Sequence, residues 1–289
     1  MSPRPGGRID RLVVTRPAQE ATAWVSALRA AGWPALALPL IDIGEPQDAA
    51  SRQALAHWRV HWPALDALMF VSPAAVQHFF LGMAAPPAGA PVRTHTLPRF
   101  WSPGPGTARA LAQALSSFGI GTDRIDSPPA DAPQFDSESL WPVVRPQLRP
   151  GQQLLIVRGL SRDAQAGPAE PDGMPGHGRD WLIRQCEGLG VRVQACAAYE
   201  RRAPCWGSET RAVALAAGGT GSVWLFSSSE ALTHLARCAP AAGWGAAQAL
   251  VTHPRIAERA REMGFGRVLQ TRPALTDVLG TLESNWSPS

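Results

Sequence analysis

Short runs of apolar, mostly β-forming residues alternate along the chain with Ala-, Leu- and Arg-rich stretches that have the period of a helix. This alternation is typical of α/β folds, in which helices connect the strands of parallel sheets. The predicted strands are Leu12–Thr15, Leu36–Leu40, Leu68–Val71, Phe100–Ser102, Leu154–Val157, Val191–Ala197, Val223–Phe226 and Ala249–Thr252. The predicted helices include Ala18–Ala31, Pro73–Leu81, Thr107–Phe118, Arg179–Leu189, Glu230–Ala236 and Arg255–Met263. Two Pro- and Gly-rich stretches, Ala84–Pro91 and Ala164–Gly178, are expected to be exposed loops.

Three segments of the first half of the chain recur in the second half in the same order. The pairs are Leu12–Arg16 (LVVTR) with Leu154–Arg158 (LLIVR), Phe70–His78 (FVSPAAVQH) with Phe226–His234 (FSSSEALTH) and, more loosely, Gly104–Ala108 with His253–Ala257. Such an internal repeat indicates two related lobes, with the cleft between them as the natural place for a ligand.

Each repeated segment lies where a predicted strand ends, and most lead directly into a predicted helix. Helix N-termini have unpaired N–H groups and favour negative charge, and arginines form paired hydrogen bonds with carboxylates. We therefore expect a polyanionic ligand at these strand ends. The residues predicted to contact it are Thr15, Arg16, Ser72, Gly104, Thr107, Arg158, Ser227, Ser228, Ser229 and Thr252. Any single Ser or Thr among them is equally typical of an ordinary helix cap.

Composition and motifs exclude several classes of protein. The net charge is +4, but the arginines are scattered and do not alternate with aromatic residues, which disfavours nucleic-acid binding. Neither GxGxxG nor GxxxxGK[ST] is present, so a nicotinamide enzyme is disfavoured. The four cysteines are irregularly spaced without a CxxC pair, so we expect free thiols and no metal. With no secretory signal and no apolar run of membrane-spanning length, the predicted location is the cytoplasm.

Tyr199 is the only tyrosine in the chain and ends the apolar run Val191–Ala198. Its position indicates a hinge between the two lobes. A phenol keeps its proton at neutral pH and can donate it to a leaving oxygen, a role that typically contributes on the order of 10² to 10⁴ in rate. A packing role with the hydroxyl in solvent is the alternative interpretation.

Six motifs taken together resemble those of uroporphyrinogen-III synthases. They are Val14–Pro17, Phe70–Val76, Gly104–Ala108, Val157–Gly159, Tyr199–Arg201 and Phe226–Ser229, and their order and spacing agree over nearly the whole chain. The chain departs from the family pattern at His253–Ala257 and in the long segment Leu160–Gly178.

The resemblance implies an α/β fold with two doubly wound parallel-sheet lobes, a two-stranded connection and an active site in the cleft. One lobe would comprise residues 1–37 and 202–289, the other residues 43–195, with connecting strands at 38–42 and 196–201. The implied enzyme is a monomeric, cofactor-independent lyase of heme biosynthesis. It would bind hydroxymethylbilane, remove its terminal hydroxyl, invert the last pyrrole through a spiro intermediate and close the ring as uroporphyrinogen III. Tyr199 would assist departure of the hydroxyl, and Thr107 would lie near the substrate.

The implied partners are the substrate and, through a transient contact, the upstream hydroxymethylbilane synthase. Neither nucleic acid nor a membrane is expected. Three rival interpretations remain open on sequence alone: a two-lobed module that binds an anion without transforming it, a cytoplasmic sensor, and an enzyme of sugar phosphates or nucleotides. The lack of a secretory signal argues against a periplasmic form of the first.

Overall fold

Strands and helices alternate along the computed structural model, which describes residues 7–83, 97–129, 132, 134–161, 177–240 and 242–288, and only the backbone of 177–180. The strands are β1 (Arg8–Ile9), β2 (Arg11–Val14), β3 (Ala35–Ala37), β4 (Asp42–Gly44), β5 (Ala67–Phe70), β6 (Arg99–Trp101), β7 (Ile125–Asp126), β8 (Gln153–Ser161), β9 (Arg192–Arg202), β10 (Ser222–Phe226), β11 (Gln248–Val251), β12 (Arg267–Gln270) and β13 (Ser287–Pro288). The helices are α1 (Ala18–Ala30), α2 (Ala49–His61), α3 (Pro73–Phe80), α4 (Pro105–Ser116), α5 (Ser137–Val144), α6 (His177–Gly188), α7 (Ser208–Ala216), α8 (Ser229–Cys238), α9 (Pro254–Glu262) and α10 (Leu275–Asn285).

The chain divides into two units, and the first comprises Met1–Ile43 and Arg202–Ser289. Its five-stranded sheet has the order β12-β11-β10-β2-β3, and every neighbouring pair is parallel. One face of the sheet packs around the aromatic side chains of Trp224, Phe226, Trp244 and Phe265. The other face buries a second cluster that includes Trp286. β2 is therefore held beside a strand that lies about two hundred residues further along the sequence.

The second unit is the continuous segment Gly44–Arg201. It contains the six-stranded sheet β4-β9-β8-β5-β6-β7, in which the pairs β9-β8, β8-β5, β5-β6 and β6-β7 are parallel. Met69, Trp101 and Ile156 belong to the core under one face. Phe70 and Phe79 pack edge to face in a separate aromatic cluster. Each unit thus has its own sheet and its own buried core.

The predicted α/β class with parallel sheets is confirmed, and each predicted strand and helix coincides with an observed one apart from its limits. The largest difference lies in the first connecting segment, where residues 38–41 form no strand and β4 begins only at Asp42. Leu38 and Leu40 instead donate backbone hydrogen bonds to the carbonyl oxygens of Val14 and Thr15 at the end of β2. The second connecting segment, 196–201, lies inside β9.

The two predicted loops fall largely outside the described residues. All of Ala84–Pro91 lies there, and so does Ala164–Gly178 except for its last two residues. Those two residues are helical, because α6 begins at His177. None of the helices in the described ranges is long and apolar enough to cross a bilayer.

Candidate active site

In both sheets the predicted site residues gather where the direction of winding reverses. In the first unit the chain proceeds from β2 to β3 in one direction and from β10 to β12 in the other, so the reversal lies between β2 and β10. In the second unit β5, β6 and β7 follow one direction, and β8 and β9 lie on the opposite side of β5. The carboxyl ends of strands at such a reversal form a crevice that commonly binds ligands in α/β proteins.

Thr15 and Arg16 follow β2 at the reversal in the first unit. Thr15 is buried, and its hydroxyl donates a 2.7 Å hydrogen bond to the carbonyl oxygen of Leu225 in β10. Its side chain therefore links two strands. Arg16 forms a 2.8 Å ion pair with Glu20 and lies 4.0 Å above the ring of Trp24. Its Nε is buried without a hydrogen bond to the described residues.

Three serines follow β10, and Thr252 follows the adjacent β11. Ser228 is the N-cap of α8 and accepts a 3.2 Å hydrogen bond from the backbone N–H of Glu230. Ser227 and Ser229 flank it, and Ser229 is the first residue of the helix. Thr252 is not the cap of α9, since His253 takes that position and accepts from the N–H of Arg255 through Nδ1. The helix-cap interpretation thus holds for Ser228 and extends to His253.

In the second unit the structure brings Ser72 and Tyr199 into direct contact. Ser72 caps α3 by accepting a 3.2 Å hydrogen bond from the N–H of Ala75. The same Oγ lies 3.3 Å from the hydroxyl oxygen of Tyr199, which belongs to β9. Tyr199 is 6% exposed, so the phenol is largely removed from water. The side chain is therefore not solvent-exposed, and its burial fits a packing role as well as a catalytic one.

Gly104, Thr107 and Arg158 belong to the same unit as Ser72 and Tyr199. Gly104 is the N-cap of α4, and a side chain there would approach Phe135 at 3.2 Å. Thr107 is buried in the first turn of that helix. Arg158 is half-buried on β8, and its guanidinium forms no hydrogen bond or ion pair within the described residues. A half-buried cation that has no partner among the described residues favours binding of an anionic group.

Two residues at the Tyr199 contact were not singled out from the sequence as parts of the site. Gly159 on β8 faces Tyr199 across the sheet, and the imidazole of His78 lies beside the phenol with ring centroids 5.6 Å apart. Burial lowers the pKa of His78 below its ordinary value, opposed by the charge of Glu45 and assisted by that of Arg59. In the sequence, His78 is the last residue of a repeated segment and corresponds to His234 in the second copy. His234 is fully buried in the first unit, with Nδ1 2.5 Å from the carbonyl oxygen of Leu40.

The cysteines and a cavity beside α5 and α6 provide no competing site. Burial raises the pKa of Cys186 to about 12 and that of Cys196 to about 11, which keeps both as thiols. Within the described ranges, no three His, Cys, Asp or Glu side chains are grouped so that they could hold a metal ion. A surface cavity of about 410 Å³ lies by α5 and α6, but none of its lining residues belongs to the predicted set.

The arrangement can supply one protected hydroxyl pair and several anion-binding strand ends. Within the described part of the chain, the only hydrogen bond between two predicted site side chains joins Ser72 and Tyr199. A buried phenol hydrogen-bonded to a second hydroxyl can transfer a proton to a departing oxygen without bulk water. Thr15 and Thr107 are buried, and the hydroxyl of Thr15 is already bonded to Leu225. The half-buried candidates for holding carboxylates are Arg158, Ser227, Ser229 and Thr252.

Comparison with known proteins identifies the family. A model described as "Uroporphyrinogen-III synthase HemD" matches residues 22–167, just over half of the chain. Among solved structures, the uroporphyrinogen-III synthetase of Helicobacter pylori has a similar fold, with a TM-score of 0.50, 12% identity, and coverage of 96% of this chain and 99% of that one. A mutant uroporphyrinogen III synthase from the extremely thermophilic bacterium Thermus thermophilus matches with a TM-score of 0.45, 15% identity, and coverage of 95% and 98%. The chain therefore belongs to the uroporphyrinogen-III synthase family, cyclising lyases of heme biosynthesis that act on hydroxymethylbilane.

Proposed function

We propose that this uroporphyrinogen-III synthase uses Tyr199 as the acid that releases the terminal hydroxyl of hydroxymethylbilane. The observation that carries the proposal is the part-buried contact of the Tyr199 phenol with Ser72, which follows β5 where the second sheet reverses its direction. The phenol would give its proton to the departing hydroxyl, which leaves as water. The last pyrrole then inverts through the spiro intermediate, and the proton lost by the substrate carbon on ring closure returns to the phenolate. Protons therefore balance over one turnover, without a cofactor.

Ser72 would position the phenol and stabilise the phenolate. Its Oγ already accepts the N–H of Ala75, so its own proton is available for the oxygen of Tyr199. The N-terminus of α3 points its partial positive charge toward the same place, which favours an anionic oxygen. The contact thus supports release of the proton from the phenol during the reaction and its recovery afterwards.

The acetate and propionate groups of the substrate would be held at the strand ends of both units. Arg158 is the strongest candidate, because its charge is uncompensated within the described residues. Ser227, Ser229 and Thr252 offer hydroxyls beside the N-termini of α8 and α9. Holding the linear substrate in the reactive conformation would be the main contribution to rate, since positioning can account for about 7 to 11 kcal/mol in favourable cases.

The test of this proposal is Tyr199→Phe in an assay that separates product isomers. Hydroxymethylbilane is generated in place by its upstream synthase, and the oxidised uroporphyrins are separated with and without the protein. We expect type III product from the wild-type protein, and a rate lower by about 10² to 10⁴ in the variant, with spontaneous type I product taking its place. Near-UV circular dichroism and the melting temperature establish that the variant is folded. Normal type III turnover by a folded Tyr199→Phe variant would reject Tyr199 as the acid.

We also propose that the enzyme acts in the cytoplasm as a monomer and receives its substrate through a transient contact with hydroxymethylbilane synthase. The anionic substrate and the anion-binding strand ends support capture of a free or directly transferred small molecule, independent of nucleic acid or membrane. Light scattering of the purified protein, alone and mixed with the upstream synthase, tests the oligomeric state and the contact. A stable dimer would contradict the first part of this proposal.

A further inference from the structure

The pairing of β8 with β9 changes register immediately before the proposed acid. Val157 faces Cys196 and Arg158 faces Ala197, but Gly159 faces Tyr199, so Ala198 is an extra residue in β9. An extra residue of this kind is a β-bulge, which turns the following side chain to the opposite face of the sheet. The bulge therefore places Tyr199 on the same face as the bare backbone of Gly159.

The phenol ring occupies the space where a side chain of Gly159 would lie. A methyl group at this position would be 2.3 Å from Cζ, 2.4 Å from Cε2 and 2.7 Å from the hydroxyl oxygen of Tyr199. Optimal contacts between carbon atoms are about 3.5 to 4.0 Å, so the ring would have to retreat by about 1 Å or more. The closest atoms belong to the end of the ring that carries the hydroxyl.

Other groups hold the phenol against Gly159. Ser72 lies at the hydroxyl oxygen at 3.3 Å, and the imidazole of His78 lies beside the ring at 33° to its plane. Both residues belong to the same helical segment, the cap and body of α3. The glycine thus provides the space, and α3 provides the contacts that fix the ring within it.

We propose that Gly159 is a positioning residue, whose missing side chain lets Tyr199 lie flat on β8 and bring its phenol oxygen to Ser72. This inference rests on the proposed role of Tyr199 as the acid. A residue with any side chain at position 159 would move the phenol oxygen away from Ser72 and from the departing hydroxyl. Carboxylate binding by the strand ends would be unchanged.

The first experiment measures kcat and KM for Gly159→Ala. The clash involves the far end of a side chain that can turn about its own bonds, so we expect the variant to fold. A displacement of about 1 Å at a reacting group can cost on the order of 10²-fold in rate, so we expect kcat to fall by about 10- to 100-fold. KM should change little. The matched control is Gly280→Ala in α10, where a methyl group meets nothing within 4 Å.

The second experiment observes the phenol directly, because Tyr199 is the only tyrosine in the chain. Protein labelled with 3-fluorotyrosine should give a single fluorine NMR resonance from this site. We expect that resonance to shift in Gly159→Ala and to stay unchanged in Gly280→Ala. A resonance that does not move in Gly159→Ala would overturn the proposal.

A double variant separates positioning of Tyr199 from a direct contact of position 159 with substrate. If Gly159 acts only through the phenol, adding Gly159→Ala to Tyr199→Ala should cause no further loss of type III product. An additional loss of similar size in both backgrounds would overturn the proposal. If Gly159→Ala alone fails to fold, the double variant should regain its fold, since the ring is gone, and failure of both would also overturn it. Full turnover by Tyr199→Phe is a separate result. It would reject the role of Tyr199 as the acid, but it would not affect the displacement of the phenol that fluorine NMR measures in Gly159→Ala.

Discussion

Arg16 and Arg158 differ in whether their guanidinium groups already interact with other side chains. Arg16 is paired with Glu20 and stacked on Trp24, whereas Arg158 has no partner within the described residues. A charged hydrogen bond is worth about 1.5 to 3 kcal/mol, so we expect Arg158→Ala to raise KM by about 10- to 100-fold and Arg16→Ala to raise it less. At saturating substrate the proportion of type III product should be unaffected, because these groups would hold carboxylates remote from the reacting carbons.

Steady-state kinetics with isomer separation measures both effects. Arg192→Ala is the control. Arg192 is the first residue of β9, at the end of the strand away from Tyr199, and it donates a hydrogen bond to the carbonyl oxygen of Gly151. A switch of isomer with an unchanged KM would contradict the assignment of Arg158 to carboxylate binding.

His78 should make the stability of the protein depend on pH. Burial lowers its pKa in the folded state, so between that lowered pKa and the ordinary value of 6.5 the unfolded chain binds more protons than the folded one. The contribution of His78 to the free energy of unfolding is therefore fully present above pH 6.5 and decreases as the pH falls through this window. We expect the melting temperature of His78→Gln to fall less between about pH 7 and pH 5 than that of the wild-type protein. His61→Gln, which replaces an exposed histidine of α2, is the control, and identical pH profiles for wild type and His78→Gln would be the contrary result.

Sequence patterns located the ends of strands but could not reveal the contact that matters most at Tyr199. The apolar runs and the Ser, Thr and Gly that follow them depend on local periodicity and capping, which a single sequence displays. The pairing of Gly159 with Tyr199 depends on a shift in register between two strands forty residues apart in sequence. No local pattern encodes such a shift. A lone glycine after a strand and a lone tyrosine in a strand were the only available signals.

At the scale of helices and strands, Ser72 has two roles: it caps α3, and it contacts the hydroxyl of Tyr199 on β9. Removing a capping hydroxyl typically costs about 1 kcal/mol of stability. We expect Ser72→Ala to lower the free energy of unfolding by about that amount and also to slow formation of type III product.

The control for Ser72→Ala is Asp136→Ala, which removes the cap of α5, where Asp136 accepts from the N–H of Ser139 at 2.8 Å. We expect a similar loss of stability there, measured by urea unfolding, with unchanged turnover. Equal turnover of the two variants would show that Ser72 is a cap alone.

Four of the elements absent from the sequence prediction, α2, α7, β4 and β12, share weak burial. α2 buries only Leu55 among its residues, and α7 buries only Ala214, so neither has a clear apolar stripe. β4 and β12 contain no fully buried residue and lie at the edges of their sheets. Periodicity arises from burial on one face, and these elements are held mainly by their neighbours along the sheet or chain. Their prediction requires knowledge of the sheet that they join.

At the scale of the whole molecule, the continuous second unit should fold without the first. Its sheet and core lie within a single segment, and β4 and β9 extend it to Asp42 and Arg202. We expect residues 42–202 expressed alone to unfold in one cooperative transition, observed by far- and near-UV circular dichroism. The shorter fragment 42–129 lacks β8 and β9 and should remain unfolded. A non-cooperative melt of 42–202 would mean that the unit depends on the rest of the chain.

The pairing of β2 with β10 has a consequence for synthesis of the protein. β2 is complete once Val14 is made, but its neighbour β10 ends at Phe226. At about 5 to 20 residues per second, the ribosome takes about 10 to 40 s to make the chain between them. During this interval the whole second unit emerges and can fold. The edge of β2 that will pair with β10 remains unpaired until β10 has been made. β2 is therefore synthesised long before its partner strand, and a chain that stalls in between would expose the apolar residues of the incomplete sheet to chaperones or to other nascent chains.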